Sequence, residues 1–416
     1  MRKIILRDRR KIFPFNEPAR DLRVLNKPLW LYQRDVLARY TTEEREADSL
    51  AEVDSQRVET LVYRDNLFFD HCFLDEFIQR ARASGKACRV AFAPDDRAIT
   101  AHAIHMQRGI RRQGDVYVAD MWYFPYGVEP SVRPLVIDTE AREVGYYHVP
   151  THMSDEKGDL VYQVPTKSFC SIEHWSHTIT ANVIFGVFAR GARLERDIER
   201  SVGRQLRMLW RAMLERKQVL SSSAVVHVGR NCSIDPTAII QGPTYIGNNV
   251  SIGPGAVICA SIIGDNVDIM QGCQILLSVV SDRCYLPFRA SLFMSVLMED
   301  SMVAQNTCLQ FCSIGRNTFI GAGNTFTDFN LVPKPIRAMQ RGKLEETGMP
   351  VLGGCVGHNC FIGSGLVVYP ARAIESDVVL LASAKRRVID RNVYYEDSDH
   401  FTIKDGVELH PRMYPR

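Results

Sequence analysis

A chain of 416 residues is long enough for two or three domains. Its 51 Lys and Arg nearly balance 48 Asp and Glu, giving a formal charge of +3 and a pI near 8.2, so net charge points to no nucleic acid and no membrane surface as partner. No run approaches the roughly 20 apolar residues needed to span a bilayer, and no apolar segment of a secretory signal follows the basic residues 1–10, so the expected address is the cytoplasm.

Residues 3–6 read as a short β-branched strand, 21–40 mix strand and helix signals, and 60–63 form an apolar strand leading into Asp65-Asn66-Leu67-Phe68. Leu74, Phe77, Ile78 and Ala81 have helical spacing, and 87–92 and 116–119 read as further strands. Strands alternating with helices predict an α/β sheet over residues 1–190. His174-Trp175-Ser176-His177, with Glu173 and Asn182, reads either as a polar site around an aromatic ring or as a helix start with Trp175 buried. Within 191–222 one long amphipathic helix is predicted, with Leu194, Ile198, Val202, Leu206, Leu209 and Met213 on one face. Its arginine stripe, interleaved with Glu195, Asp197 and Glu199, reads as a solvated face.

From Val228 an aliphatic residue returns every sixth position, at Ile234, Ile240, Ile246, Ile252 and Ile258. A period of six fits neither helix nor ordinary strand; it predicts a β-helix over 223–385, in which each coil buries its face only against its neighbours. The pattern slips once, from Ile258 to Ile263, which reads as a local bulge. It blurs beyond Leu276, returns at Ile314 and Ile320, and resumes after an interruption at Val356, Ile362, Val368 and Ile374. The interruption, 331–354, carries Pro333, Pro335, Pro350 and the basic Arg337, Arg341 and Lys343, and so projects as a loop. Residues 386–416 read as a cap or a partner-binding strip. Most of the eleven cysteines, such as Cys232, Cys273 and Cys360, fall at interior positions and read as buried thiols.

This order of α/β domain, long helix and six-residue repeat resembles the bifunctional N-acetylglucosamine-1-phosphate uridyltransferase and glucosamine-1-phosphate acetyltransferase family, and sugar-nucleotide pyrophosphorylases with β-helix tails more broadly. The resemblance rests on Asn26-Lys27-Pro28, Pro18, the strand Val62-Tyr63-Arg64-Asp65-Asn66-Leu67-Phe68, and the coils Phe319-Ile320-Gly321-Ala322-Gly323 and Phe361-Ile362-Gly363-Ser364 flanking the interruption. It implies a nucleotidyltransferase-like (Rossmann-like) N-terminal domain and a left-handed parallel β-helix of hexapeptide repeats. It also implies Asp65 as a Mg²⁺ ligand, with Lys11, Arg20 and Asn66 at the substrate; the alternative for Asp65 is a turn cap. The family's glycine-rich phosphate loop is replaced here by Arg7-Asp8-Arg9-Arg10-Lys11, either a basic cluster that attracts phosphate or an inactive loop, and its lysine falls on Ala19 beside Arg20.

In the solenoid, the resemblance sets Gln305 where the family has its histidine base, and glutamine takes no proton near neutral pH. His358 is the replacement candidate, expected to be exposed on a corner and to titrate near 6.5, unless it is simply a polar corner residue. The implied function is acetyl transfer from acetyl-CoA to an amino sugar or related sugar nucleotide by a homotrimer, with a sugar phosphate or nucleotide sugar as small-molecule partner. The alternative is a noncatalytic sugar-nucleotide-binding regulator or scaffold.

Overall fold

Alternation of apolar strand runs with amphipathic helical runs builds the first part of the chain, and the six-residue repeat builds the second. A computed structural model describes residues 1–53, 56–147, 160–330, 334–401 and 410–416. The chain divides into one unit of Met1–Lys11 with Pro18–Ala181 and another of Ile12–Glu17 with Asn182–Arg416.

The first unit is α/β. Its strands are β1 (Arg2–Leu6), β2 (Glu43–Ala47), β3 (Thr60–Arg64), β4 (Cys88–Phe92), β5 (Arg111–Gln113), β6 (Val116–Phe124) and β7 (Arg133–Val136). They form one mixed sheet in the order β7-β4-β6-β3-β1-β2, with β5 on β6. Helix α1 (Leu29–Leu37) lies between β1 and β2, which pair in parallel, and α2 (His71–Ser84) lies between β3 and β4. The helical spacing over 74–84 is realised in α2, whose Phe73, Leu74, Phe77, Ile78 and Ala81 are buried. Asp70 caps its first turn by accepting from the Phe73 N–H at 2.9 Å, and Gly85 ends it at φ 60°, which glycine adopts without a Cβ penalty. Strands β1 and β3 are parallel neighbours with Leu6 opposite Arg64, so the residues just past both ends, Asp8 and Asp65, emerge side by side.

The second unit opens with helices, and the single long helix of the sequence reading is broken. It is α3 (Ala189–Glu199) and α4 (Val202–Glu215), separated because Ser201 leaves helical geometry and its hydroxyl accepts from the Arg204 N–H at 3.3 Å. The coils follow as three stacked parallel sheets of eight strands each, beginning at Val226–Val228, Ser233–Ile234 and Ile239–Gln241 on the first, second and third faces. This is the parallel β-helix that the repeat predicts. Inward residues such as Ile258, Ile275, Leu292 and Leu309 are fully buried, as are the corner fillers Ala256, Cys273 and Cys360.

The slip at Ile258 is not a local bulge. Val228 pairs with Ile246, eighteen residues on, but Ile246 pairs with Ile263, seventeen on, and the shorter coil repeats through Val280, Leu297 and Ile314. The lost residue comes from the corner between third and first faces, where Ala260, Leu277, Met294 and Phe311 each take positive φ and tighten the turn. The following residue stacks: the hydroxyls of Ser261, Ser278 and Ser295 accept from the backbone N–H of Ser278, Ser295 and Cys312 at 3.0–3.1 Å. A run of seventeen-residue coils is therefore what blurred the six-residue pattern beyond Leu276. The same corner takes the interruption, which carries a hairpin of Arg337–Gln340 and Lys343–Glu346. No helix among the described residues is long and apolar enough to cross a membrane.

Because each coil is buried only by its neighbours, truncating Ile275 to alanine opens a cavity that the flanking coils cannot fill. The expected loss is about 2–5 kcal/mol in urea unfolding. A loss under about 1 kcal/mol would mean that this row is not a packed core.

Candidate functional site

In the first unit, the ends of β1 and β3 gather three of the residues that the sequence singles out. Asp65 is 1% exposed; its Oδ1 accepts from the Asp8 N–H at 2.8 Å, and its Oδ2 faces Arg7 Nε at 3.3 Å and Arg20 Nη1 at 3.5 Å. Asn66, also buried, donates through Nδ2 to Ser171 Oγ at 3.1 Å. Lys11 is exposed. The charged loop that replaces the glycine-rich turn is paired off rather than open: Arg7 lies on Glu46 at 2.8 Å, Arg9 on Asp48 at 2.9 Å, and Arg10 bridges Asp8 and Glu173.

Burial pushes the Asp65 carboxyl up to about 6, against the opposing pull of the Asp8 N–H and of Arg20 and Arg7. Burial also works to raise Asp8, but hydrogen bonds and charge from Arg10 outweigh it and hold that carboxyl below the ordinary range. This donor set does not fit Mg²⁺. Both Asp65 oxygens and both Asp8 oxygens already accept from N–H groups, mostly guanidinium, and no group of three or more His, Cys, Asp or Glu among the described residues is placed to hold a metal.

The His174–His177 segment takes the helix-start form. Trp175, His174 and His177 are all buried, a short helix begins at Ser176, and His177 Nδ1 accepts from the Glu173 N–H at 3.0 Å.

In the second unit His358 is not the exposed corner histidine that the sequence suggests. It is fully buried, with rings of Phe15 and Tyr414 at 5.0 and 4.8 Å. Its Nδ1 accepts from the Arg316 N–H at 2.9 Å, so Nε2 carries the proton and donates to Glu17 Oε1 at 3.0 Å. Burial lowers its pKa, opposed by Glu17, and keeps the ring neutral. Glu17 also takes both terminal nitrogens of Arg316, at 2.7 and 2.8 Å. Gln305 sits elsewhere: it lies on the turn from the second to the third face, whereas His358 lies on the turn from the first to the second. Within one chain the two do not meet.

The cavity that sequence reasoning missed lies where the inserted segment leaves and rejoins the coils. It encloses about 520 Å³ and is lined by Lys334, Arg337 and Arg372, with Asp390, Tyr369 and Pro335. Arg372 Nε donates to Pro370 O at 3.1 Å, and burial lowers the Arg372 pKa, opposed by Asp390. The Tyr369 ring is 46% exposed and offers a flat apolar face. Three cations line the cavity with one carboxylate; Arg337 also pairs across its hairpin with Glu346 at 3.2 Å, outside the lining, and Lys334 and Arg372 beside an aromatic ring suit a phosphate-bearing planar group. The basic residues of the 331–354 interruption were the visible signal; that Tyr369 and Arg372, two coils' worth of sequence away, complete the wall was not.

Residues 226–260 match the model of the bacterial transferase hexapeptide family (six repeats). No curated protein matches the chain. Among solved structures, the chain is similar to a UDP-N-acetylglucosamine acyltransferase from Campylobacter jejuni at 14% identity, over 39% of this chain and 68% of that one, with a TM-score of 0.28. It is similar also to a Bacillus cereus protein named as an acetyltransferase at 17% identity, over 34% of this chain and 77% of that one, with a TM-score of 0.17.

Asp65 gives a signed test of the first-unit cluster. Its folded pKa of about 6 lies above the ordinary 3.8, so the folded state holds its proton more tightly than the unfolded chain. Its contribution to stability is therefore greatest at low pH and falls as pH rises from about 4 to about 6. Asp65→Asn is expected to remove that fall, so the stability difference between variant and wild type should shift in favour of the variant across this window. A pH-independent difference in urea unfolding would show that Asp65 is not desolvated.

Proposed function

We propose that this protein is a hexapeptide-repeat acyltransferase that takes acetyl-CoA by its phosphates at the cavity of Lys334, Arg337 and Arg372 and transfers the acetyl group to an amino sugar or related sugar nucleotide. The observation that carries this reading is that cavity, set at the one interruption of a solenoid whose opening coils match the transferase hexapeptide model. Cations on a coil corner neutralise phosphate charge, and Tyr369 gives a surface on which a nucleotide base can stack. We take the active form to be a homotrimer.

We take the first unit as nucleotidyltransferase-like (Rossmann-like) in descent and inactive in nucleotidyl transfer. The parallel pair β1 and β3 with Asp65 at its end supports the likeness, and the pairing of Arg7, Arg9 and Arg10 with carboxylates supports the loss. A second reading, a noncatalytic sugar-nucleotide binder or scaffold, is favoured by one observation: His358 is buried and neutral and Gln305 is no base, so neither supplies the proton acceptor that acyl transfer needs.

Calorimetry with acetyl-CoA, together with a free-thiol assay in the presence of glucosamine 1-phosphate or UDP-glucosamine, separates these. Binding is expected, weakened at least about tenfold in an Arg337→Ala, Arg372→Ala double variant, with thiol released in proportion to acceptor. Binding without thiol release would select the binder reading, and no binding by a folded protein would overturn the cavity's assignment.

A further inference from the structure

Helix α4 presents an apolar face that nothing among the described residues covers. Val202, Leu206, Leu209, Trp210, Met213 and Leu214 are each between 55% and 68% exposed, and Leu220 just beyond is 53% exposed. The helix is not simply loose on its support. Ala212 is buried, Gln205 and Met208 are partly buried on the same side, and Gln205 Nε2 donates to Ile198 O of α3 at 2.9 Å. At 3.6 residues per turn the six exposed apolar side chains cover an arc of roughly 140°, and Arg204, Arg207 and Arg211 fill roughly the next 60°, between that arc and the buried one. A helix anchored on one side, with Leu, Met and Trp facing outward and arginines along the flank, has the pattern of one that lies in a bilayer interface.

Charge selects the occupant. Residues 189–217 hold nine Arg and Lys against four Asp and Glu, a net of +5, whereas the whole chain carries +3. The remainder is therefore slightly acidic, and the near-neutral total hides a local basic surface. A second copy of the same helix is a poorer fit. Its seam would use Val202, Leu206, Leu209 and Met213, four side chains where a stable interface uses roughly 20–30 residues a side. It would leave Trp210 and Leu214 outside the seam and set two stripes of like charge beside one another.

We propose that α4 docks the protein on an anionic lipid surface, with Leu206, Leu209, Trp210 and Met213 in the acyl-headgroup boundary and Arg207 and Arg211 on lipid phosphates, while Arg204 stays paired with Asp197 of α3. This inference goes beyond the acyl-transfer reading and stands without it. The test is co-sedimentation of the full chain with phosphatidylcholine vesicles and with vesicles containing about 30 mol% phosphatidylglycerol, at low and high salt. At least about tenfold stronger binding to the anionic vesicles is expected, falling with salt, with a blue shift of Trp210 emission that a Trp210→Phe variant loses. A Leu206→Glu, Met213→Glu variant should lose binding to both vesicle types, and an Arg207→Glu, Arg211→Glu variant should lose the anionic preference. Both pairs are solvent-exposed, so circular dichroism should show unchanged folding. No binding to anionic vesicles, or unchanged binding by the Leu206→Glu, Met213→Glu variant, overturns the proposal. A self-association measured by light scattering that this variant abolishes, without lipid binding, assigns the face to a second copy.

Discussion

The stacking of one coil on the next is the constraint from which the second unit follows. No coil has a core of its own: Ile258 is buried by Ile240 and Ile275, Ile275 by Ile258 and Leu292. What must be conserved from coil to coil is therefore the register of the inward rows and not the length of the coil. Two corners hold that register with side-chain stacks. Between first and second faces, Asn231, Asn249 and Asn266 take positive φ and pass hydrogen bonds coil to coil at 3.1–3.2 Å. Between third and first faces the serines do so. The latter corner is also where length changes, losing a residue in successive coils and then admitting the hairpin segment. A turn built on positive φ at Ala260, Leu277, Met294 and Phe311 costs strain at each. Its repetition means that the stacked serines and the parallel ladder outweigh that cost.

Where the repeat supplies rigidity, ionisable groups taken into it lose their chemistry. Glu17, Arg316 and His358 are bound so that every nitrogen of the imidazole is committed, one accepting from backbone and one donating to carboxylate. The carboxylate is held below the ordinary range by His358 and Arg316 despite its burial, and the imidazole below its own by burial. Such a set fixes geometry more than it stabilises, because desolvation offsets much of the attraction. Its use is visible in how closely the segment Ile12–Glu17 lies on the coil: Ser376 N and Oγ both donate to Pro14 O, at 3.0 and 2.9 Å. A Cβ on Gly357 would stand 2.7 Å from that same oxygen. The glycine of the repeat motif here permits a close approach rather than a turn.

The solenoid was legible in the sequence because its interior imposes a period that no other structure shares. The strands of the first unit were legible at 3–6, 60–63, 87–92 and 116–119, and α2 by its buried spacing, since each follows from local pattern. Three things were not. The seventeen-residue coil looked like noise because Leu292, Leu297 and Val303 keep the faces but break the count. His358 looked exposed because its burial depends on Glu17 and Phe15, more than three hundred residues away, and sequence distance carries no sign of such a contact. The break at Ser201 was hidden because apolar spacing runs through it in phase, from Ile198 to Val202, while the Ser201 cap is a local preference that periodicity does not register.

The same spacing that concealed the break carries no sign of which face packs, although the arginine stripe of α4 is solvated as read from the sequence. An amphipathic stripe in sequence tells that one side of a helix avoids water, and in a globular unit that side is ordinarily the one that packs. Helix α3 follows this rule, with Leu194 and Ile198 partly buried; α4, in phase with it, does not, because its supporting side is the narrow row of Gln205, Met208 and Ala212. With only Met208 as a large apolar side chain on the supporting side and six on the open side, the usual order is inverted. Leaving six such side chains in water forgoes on the order of 1.5–3 kcal/mol for each that could otherwise be buried. Nothing among the described residues recovers that energy. The docking proposed above accounts for the arrangement by a surface outside the chain, to which the arginines that flank the stripe would lend charge complementarity.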